Sequence, residues 1–326
     1  MKKILFICFM ILLCACGSEY SDDEIAMLED YGVLKEAKDC SNPASLQVML
    51  KGDFDPDLVK DYCGMIIEDD KGVNVMIEAG LKEEEIKEYQ SLPYMREENI
   101  ERYIKYDADS VKEKVLNVNM DMDLEPFAYT NIVKDDSDMT ILINKFNALP
   151  EGYLPSDLVE VKNYLCVQGE DYSCSTMDKM MLREEAANAY YDFAKDASKE
   201  GIAIRAIATY RSYEYQRMLY NYNLGIYGQV ETDKFYARPG QSEHNSGLAI
   251  DITFNGHNFT EIEGKEGYDW ILNNMHKYGF ILRYPKDKVH ITRYGYESWH
   301  LRYVGKDVAK TIYENDWTLE EYHAMK

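Results

Sequence analysis

Leu248-Ala249-Ile250-Asp251-Ile252-Thr253 sets a carboxylate inside an apolar, strand-like run. Burying an ionised carboxylate without partners is expensive, so a fold that buries this run must bring a cation or several donors to Asp251. Ser242-Glu243-His244-Asn245-Ser246-Gly247 comes just before it and supplies an imidazole. Gly247 permits a tight turn between the two groups. Glu297-Ser298-Trp299-His300, at the start of the last strand signal, supplies a second imidazole and another carboxylate. Two neutral imidazoles and one carboxylate make a three-ligand zinc set with a fourth position open to water. His244, Asp251 and His300 are therefore the candidate ligands, and Zn²⁺ the candidate cofactor.

Glu297 lies three residues before His300, beside the metal set and outside it. A carboxylate there can take a proton from water whose pKa a metal has lowered to ~7. It can then pass that proton to a leaving amine. A carbonyl under attack gains negative charge and needs a cation. Arg211 in Tyr210-Arg211-Ser212-Tyr213 ends a buried-looking strand and is the candidate. His257, His276, His290 and His323 read as structural histidines, with His290 the stand-in ligand. Ser242 and Ser246 do not form Gly-x-Ser-x-Gly, so a serine nucleophile has no support.

The remainder of the chain bounds these readings. A length of 326 residues suggests two domains. Acidic residues outnumber Lys and Arg by 59 to 36, for a net charge of −23. That argues against nucleic-acid binding, which needs clustered cations. No Gly-x-Gly-x-x-Gly or P-loop supports nucleotide binding.

Lys2 and Lys3 precede the apolar run Ile4 to Ala15, which is too short to span a bilayer and has the form of a secretory signal. Leu13-Cys14-Ala15-Cys16-Gly17 resembles a bacterial lipobox. The resemblance implies lipidation of Cys16 and an extracytoplasmic, membrane-anchored protein. Four cysteines then remain. Cys166 and Cys174 enclose a short polar stretch and are expected to pair, which leaves Cys40 with Cys63.

Residues 19 to about 135 read as short helices joined by acidic turns, without a catalytic constellation. Ser21-Asp22-Asp23-Glu24 has the pattern of a capped helix start. Asp135-Asp136-Ser137-Asp138 is the expected boundary. Beyond it, Leu182, Ala186, Ala189, Tyr190, Phe193 and Ala197 recur at helical spacing, and strand signals cover Ile202–Tyr210, Leu248–Thr253, Phe280–Leu282 and Trp299–Val304. Ser212 is placed to cap the helix after the first of these strands. The last strands can pair without crossover helices. The fold class is therefore α+β, a small mostly antiparallel sheet with flanking helices behind a small all-α domain.

Ser-x-His-x-x-Gly-x-Ala-x-Asp with a downstream Glu-x-Trp-His resembles the VanY-type zinc D-alanyl-D-alanine carboxypeptidases of peptidase family M15. Ile143-Asn144-Lys145-Phe146-Asn147-Ala148-Leu149-Pro150 looks like that family's lead-in, so the resemblance runs from about Leu142 to Gly305. It implies His244, Asp251 and His300 as zinc ligands and Glu297 as base. It also implies that Arg211, Gln216 and Ser242 contact the substrate. Ser298 departs from the family, where proline is common.

Together these readings give residues 1–15 as a lipoprotein signal, 16–137 as a helical spacer or interaction domain, and 138–326 as the peptidase domain. The expected reaction is removal of the terminal D-Ala from peptidoglycan stem peptides. An L,D-carboxypeptidase acting on tetrapeptide stems, an endopeptidase and a non-catalytic wall-binding lipoprotein are the alternatives. Arg211 is left between binding the substrate carboxylate and binding the oxyanion.

Overall fold

The computed structural model describes residues 20–40, 43–52, 54–64, 70–133, 137–168 and 179–326. The signal-like run, Cys16, Cys174 and Asp135 and Asp136 of the charged break lie outside the described residues. The chain forms two compact units, Met1–Val115 and Leu116–Lys326.

The first unit is helical among its described residues. It contains α1 (Asp22–Asp30), α2 (Leu34–Lys38), α3 (Pro43–Met49), α4 (Val59–Gly64), α5 (Asp70–Glu78), α6 (Glu83–Ser91) and α7 (Ile100–Lys105). Ser21 caps α1 as expected. Its side chain accepts from the Glu24 N–H while the Glu24 carboxylate accepts from the Ser21 N–H, a reciprocal capping box. Leu28, Leu46, Tyr62, Ile86, Tyr89 and Tyr103 are buried. Cys40 and Cys63 form a disulfide.

Helix α8 (Val111–Asn119) carries the division between the units, about twenty residues before the charged break. Its helical pattern runs through Val115 without interruption, so composition marks no boundary there.

The second unit carries the sheet. Its elements are β1 (Asn131–Ile132), β2 (Asn147–Ala148), β3 (Leu158–Glu160), α9 (Tyr164–Gln168), β4 (Met181–Arg183), α10 (Glu184–Lys199), β5 (Ile204–Ala208), α11 (Tyr213–Phe235), β6 (Ala249–Phe254), α12 (Tyr268–Asn274), β7 (Phe280–Leu282), α13 (Val289–Thr292), β8 (His300–Tyr303), α14 (Lys306–Asn315) and α15 (Leu319–Ala324). Strands β5, β6, β8 and β7, in that order, form an antiparallel sheet. This is the α+β arrangement the sequence predicts. Boundaries differ by one residue at each end of β6 and β8 and by more elsewhere. Leu182 belongs to β4 and not to the helix that follows, and β5 begins at Ile204 and ends at Ala208.

Side-chain alternation divides the sheet into two chemistries. Ile250, Ile252 and Phe254 of β6, with Leu301 and Tyr303 of β8, pack in one core with Tyr190 and Phe193 of α10. Asp251, His300 and Arg302 fall on the opposite face by the same period. Ser212 caps α11, its side chain accepting from the Tyr215 N–H. The helix is interrupted at Gly228, which has φ +72°.

Candidate active site

Three elements bring the predicted ligands together. His244 sits in a 3₁₀ turn, Glu243–Ser246, closed by Gly247 in the left-handed conformation at φ +71°. A Cβ at Gly247 would come within 2.9 Å of the Leu158 side chain, so this turn requires glycine for space as well as for φ. Asp251 lies within β6, and His300 opens β8 directly opposite it in the ladder. Each of the three residues is at most 6% exposed.

Their donor atoms lie within 4.8 Å of one another. Asp251 Oδ2 is 3.3 Å from His244 Nε2, and Asp251 Oδ1 is 2.9 Å from His300 Nδ1. The two imidazole rings are nearly perpendicular, with centroids 4.9 Å apart. Donors held tetrahedrally at ~2.1 Å from one ion stand ~3.4 Å from each other. The set therefore fits a single Zn²⁺.

The surrounding hydrogen bonds fix the rings. His244 Nδ1 lies 2.7 Å from the Thr209 carbonyl oxygen, which can only accept. Nδ1 therefore carries the proton, and Nε2 keeps its lone pair for a metal. On His300 the atom facing Asp251 is Nδ1, and Nε2 faces Glu243 Oε2 at 3.5 Å. Burial, with help from the Arg211 guanidinium, pushes His244 down to about 4, so it is neutral at physiological pH. For His300, burial acts downward, but hydrogen bonds to Asp251 and Glu243 prevail and raise it to about 9. Burial would raise Asp251, yet the two histidines hold it well below the usual carboxylate range.

Glu297 lies with Oε2 3.6 Å from His300 Nδ1. Burial, opposed by His300 and reinforced by the negative charge of Asp251, raises it to about 7. That is a suitable value for a group that must accept and return a proton near neutrality. Arg211 places Nη2 3.0 Å from Asp251 Oδ2. Its backbone N–H donates to the His244 carbonyl, which ties the end of the β5 segment to the ligand turn.

These groups line a cleft of about 650 Å³ with Ser242, Gln216, Tyr215, Tyr236, Phe259 and Trp299. Gln216 Nε2 donates to the Ala237 carbonyl, while its Oε1 is buried with no hydrogen-bond partner among the described residues. A buried acceptor left open in a cleft wall suits a ligand N–H. His290 is exposed on α13 and outside the cleft lining, and His323 bonds the Thr140 carbonyl, so neither joins the ligands.

One charged residue of the site escaped the sequence reading. Glu243 is 1% exposed and accepts from Arg283 Nε and Arg302 Nη1, both at 2.7 Å. Burial acts to raise its pKa, but the two guanidiniums hold it far below the ordinary carboxylate range. Arg302, alternating with Leu301 and Tyr303 in a strand, was the available signal.

Residues 179–306 match the sequence profile of the VanY family, described as D-alanyl-D-alanine carboxypeptidase. YodJ of Bacillus subtilis (strain 168), which carries a carboxypeptidase name, is 40% identical over 227 residues, 66% of this chain and 80% of YodJ. The bifunctional D-Ala-D-Ala dipeptidase and carboxypeptidase VanXYC of Enterococcus gallinarum is 42% identical over 125 residues, 37% of this chain and 66% of that protein. Among solved structures, the LdcB LD-carboxypeptidase, described with its basis of peptidoglycan recognition, aligns with a TM-score of 0.52 at 39% identity. That alignment covers 61% of this chain and 95% of LdcB. Fold and site together define a metallohydrolase of the M15 type. The chain belongs to the VanY-type carboxypeptidase family.

Proposed function

We propose that this chain is an exported, zinc-dependent D,D-carboxypeptidase that removes the terminal D-Ala from peptidoglycan stem peptides. The observation that carries the reading is the convergence of His244, Asp251 and His300 beside a buried Glu297 at one cleft. A bound Zn²⁺ would supply Lewis acidity, making water a nucleophile at neutral pH.

The chain's own residues do the rest. Glu297 takes a proton from the attacking water at Oε2 and returns it to the nitrogen of the departing D-Ala. Arg211 presents its guanidinium to the negative oxygen of the substrate. Gln216 Oε1 accepts from a substrate N–H, which removes its unsatisfied burial. Ser242 lines the wall beside the ligand turn. Arg211 is engaged through Nη2 with Asp251, and its side chain is 23% exposed, so part of the fork remains open to the cleft.

The lipobox-like Cys16 supports a second part of the proposal, an extracytoplasmic enzyme held to the membrane by lipid. Cys16→Ala should move the protein from the membrane fraction to the soluble one. Retention in the membrane would refute the anchor.

The likeness to an LD-carboxypeptidase favours a second reading, trimming of tetrapeptide stems. Purified protein incubated with defined pentapeptide and tetrapeptide stems, with products read by mass, decides between them. Loss of one D-Ala from the pentapeptide alone is expected. Cleavage of the tetrapeptide alone would replace the D,D reading, and no product from either would end both.

A further inference from the structure

We propose that Glu243 is the positioning residue for the metal ligand His300, and that α15, through Glu320, keeps Glu243 in that role. The inference rests on His300 as a ligand and extends it to residues that do not reach substrate.

The starting point is which nitrogen of His300 meets a metal. Nδ1 faces Asp251 Oδ1 at 2.9 Å and Glu297 Oε2 at 3.6 Å, on the side where the other ligands converge. An imidazole that gives its Nδ1 lone pair to a metal carries its proton on Nε2. The group waiting at Nε2 is Glu243 Oε2, at 3.5 Å. A carboxylate there selects the tautomer that ligation needs and raises the basicity of the donor nitrogen. His244 has only a neutral carbonyl in the matching position.

Glu243 is itself immobilised. Its Oε1 takes both guanidinium bonds, from Arg283 and Arg302, which leaves Oε2 to His300. Arg283 gives its two remaining nitrogens to Glu320 of α15, at 2.9 and 2.7 Å, in a bidentate pair. Arg302 gives Nη2 to the carbonyls of Met139 and Ile141, which fixes the turn around Thr140 to the same cluster. Glu243, Arg283, Arg302 and Glu320 are all at most 2% exposed. Two guanidiniums and two carboxylates balance in charge, and removing one member leaves an uncompensated charge in the interior. Arg283, Arg302 and Glu320 are outside the cleft lining, so they act on the chemistry only through Glu243 and His300.

The test is metal affinity and ligand geometry, read without substrate. Zinc affinity is measured by competition with a chromophoric chelator, and the visible spectrum is recorded with Co²⁺ in place of zinc. Glu243→Gln should weaken zinc about 10- to 100-fold and shift the cobalt bands, since loss of an outer carboxylate has that typical effect. Glu320→Gln should shift both readouts in the same direction by less. A purely structural role would lower thermal stability and leave the cobalt bands in place.

Should Glu243→Gln fail to fold, two-bond ¹H–¹⁵N spectra of the zinc-loaded wild type still decide. Nε2 of His300 should be protonated and Nδ1 metal-bound. Ligation through Nε2, or native affinity and an unshifted cobalt spectrum in both variants, would overturn this inference alone. A wild-type protein that binds no zinc would overturn the proposed function with it.

Discussion

Asp251 and His300 face each other as a direct cross-strand pair in the β6–β8 ladder, with Oδ1 2.9 Å from Nδ1. Strand register thus sets two of the three ligands, and a slip of one residue in either strand would turn its ligand to the opposite, apolar face of the sheet and separate the pair. Asp251→Asn keeps the shape and removes the charge that His244, His300 and Arg211 all face. Zinc affinity should fall roughly 100-fold or more, beyond the usual loss for an outer hydrogen-bond partner. Elemental analysis after dialysis against a weak chelator measures this. Native zinc content in the variant would remove Asp251 from the ligand set.

Protons compete with zinc at His300 in a defined window. The metal-free ring is raised to about 9, so ligation between pH 7 and 9 must displace one proton. Apparent zinc affinity should rise about tenfold per pH unit from pH 7 to 9 and level off above it. His244, lowered to about 4, adds no proton to the balance there. Stability of the metal-free protein should run the other way. The raised pKa contributes stability that is complete below ~6.5 and is lost as pH rises through about 9. Chelator competition and thermal melts over the same buffers give both slopes. Parallel trends in the two would contradict the assignment of the proton to His300.

The turn that carries His244 has a separate weakness. Gly247 combines φ +71° with a would-be Cβ 2.9 Å from Leu158 Cδ2 and 3.2 Å from Arg183 Cγ. Gly247→Ala therefore adds backbone strain and a clash, costing about 1–3 kcal/mol. The turn backbone also donates to and accepts from its surroundings, Arg183 N–H to the Gly247 carbonyl among them. Relief of the strain through the turn backbone is expected to shift His244. Lower thermal stability accompanied by weaker zinc binding is expected. A destabilised variant with native zinc affinity would show that the turn yields without moving the ligand.

Local rules made part of this molecule readable. Ser212 and Ser21 cap helices because a side-chain oxygen next to a free N–H suffices, and the α10 face follows from its own spacing. His244, Asp251 and His300 were legible because few structures other than a metal site give a carboxylate in an apolar strand two imidazole neighbours. Glu243 was not legible. Its meaning depends on Arg283 and Arg302, 40 and 59 residues away, whose approach is set by sheet pairing. The division at Val115 was hidden for a related reason. It falls inside α8, where the helical pattern continues, while the charged run at Asp135–Asp138 sits within the chain of the second unit.

Glu297 is the residue whose loss should separate metal binding from turnover. It is raised to about 7 by burial, with the neighbouring carboxylates opposing the pull of His300. Its distance to His300 Nδ1, 3.6 Å, is longer than that of Asp251, and it stands apart from the three converging donors. Glu297→Gln preserves volume and a hydrogen-bonding oxygen but cannot accept a proton. Turnover of stem peptide should fall about 10²- to 10⁴-fold, the usual weight of a general base. Zinc content should stay at the wild-type level, and the acid limb of the pH–rate profile should disappear, since the group that titrates on it is gone. Steady-state rates with pentapeptide stem, set beside elemental analysis of the same samples, make the comparison. If zinc were lost along with turnover, Glu297 would belong with the ligands. If the acid limb persisted in a slow variant, another residue would carry the proton.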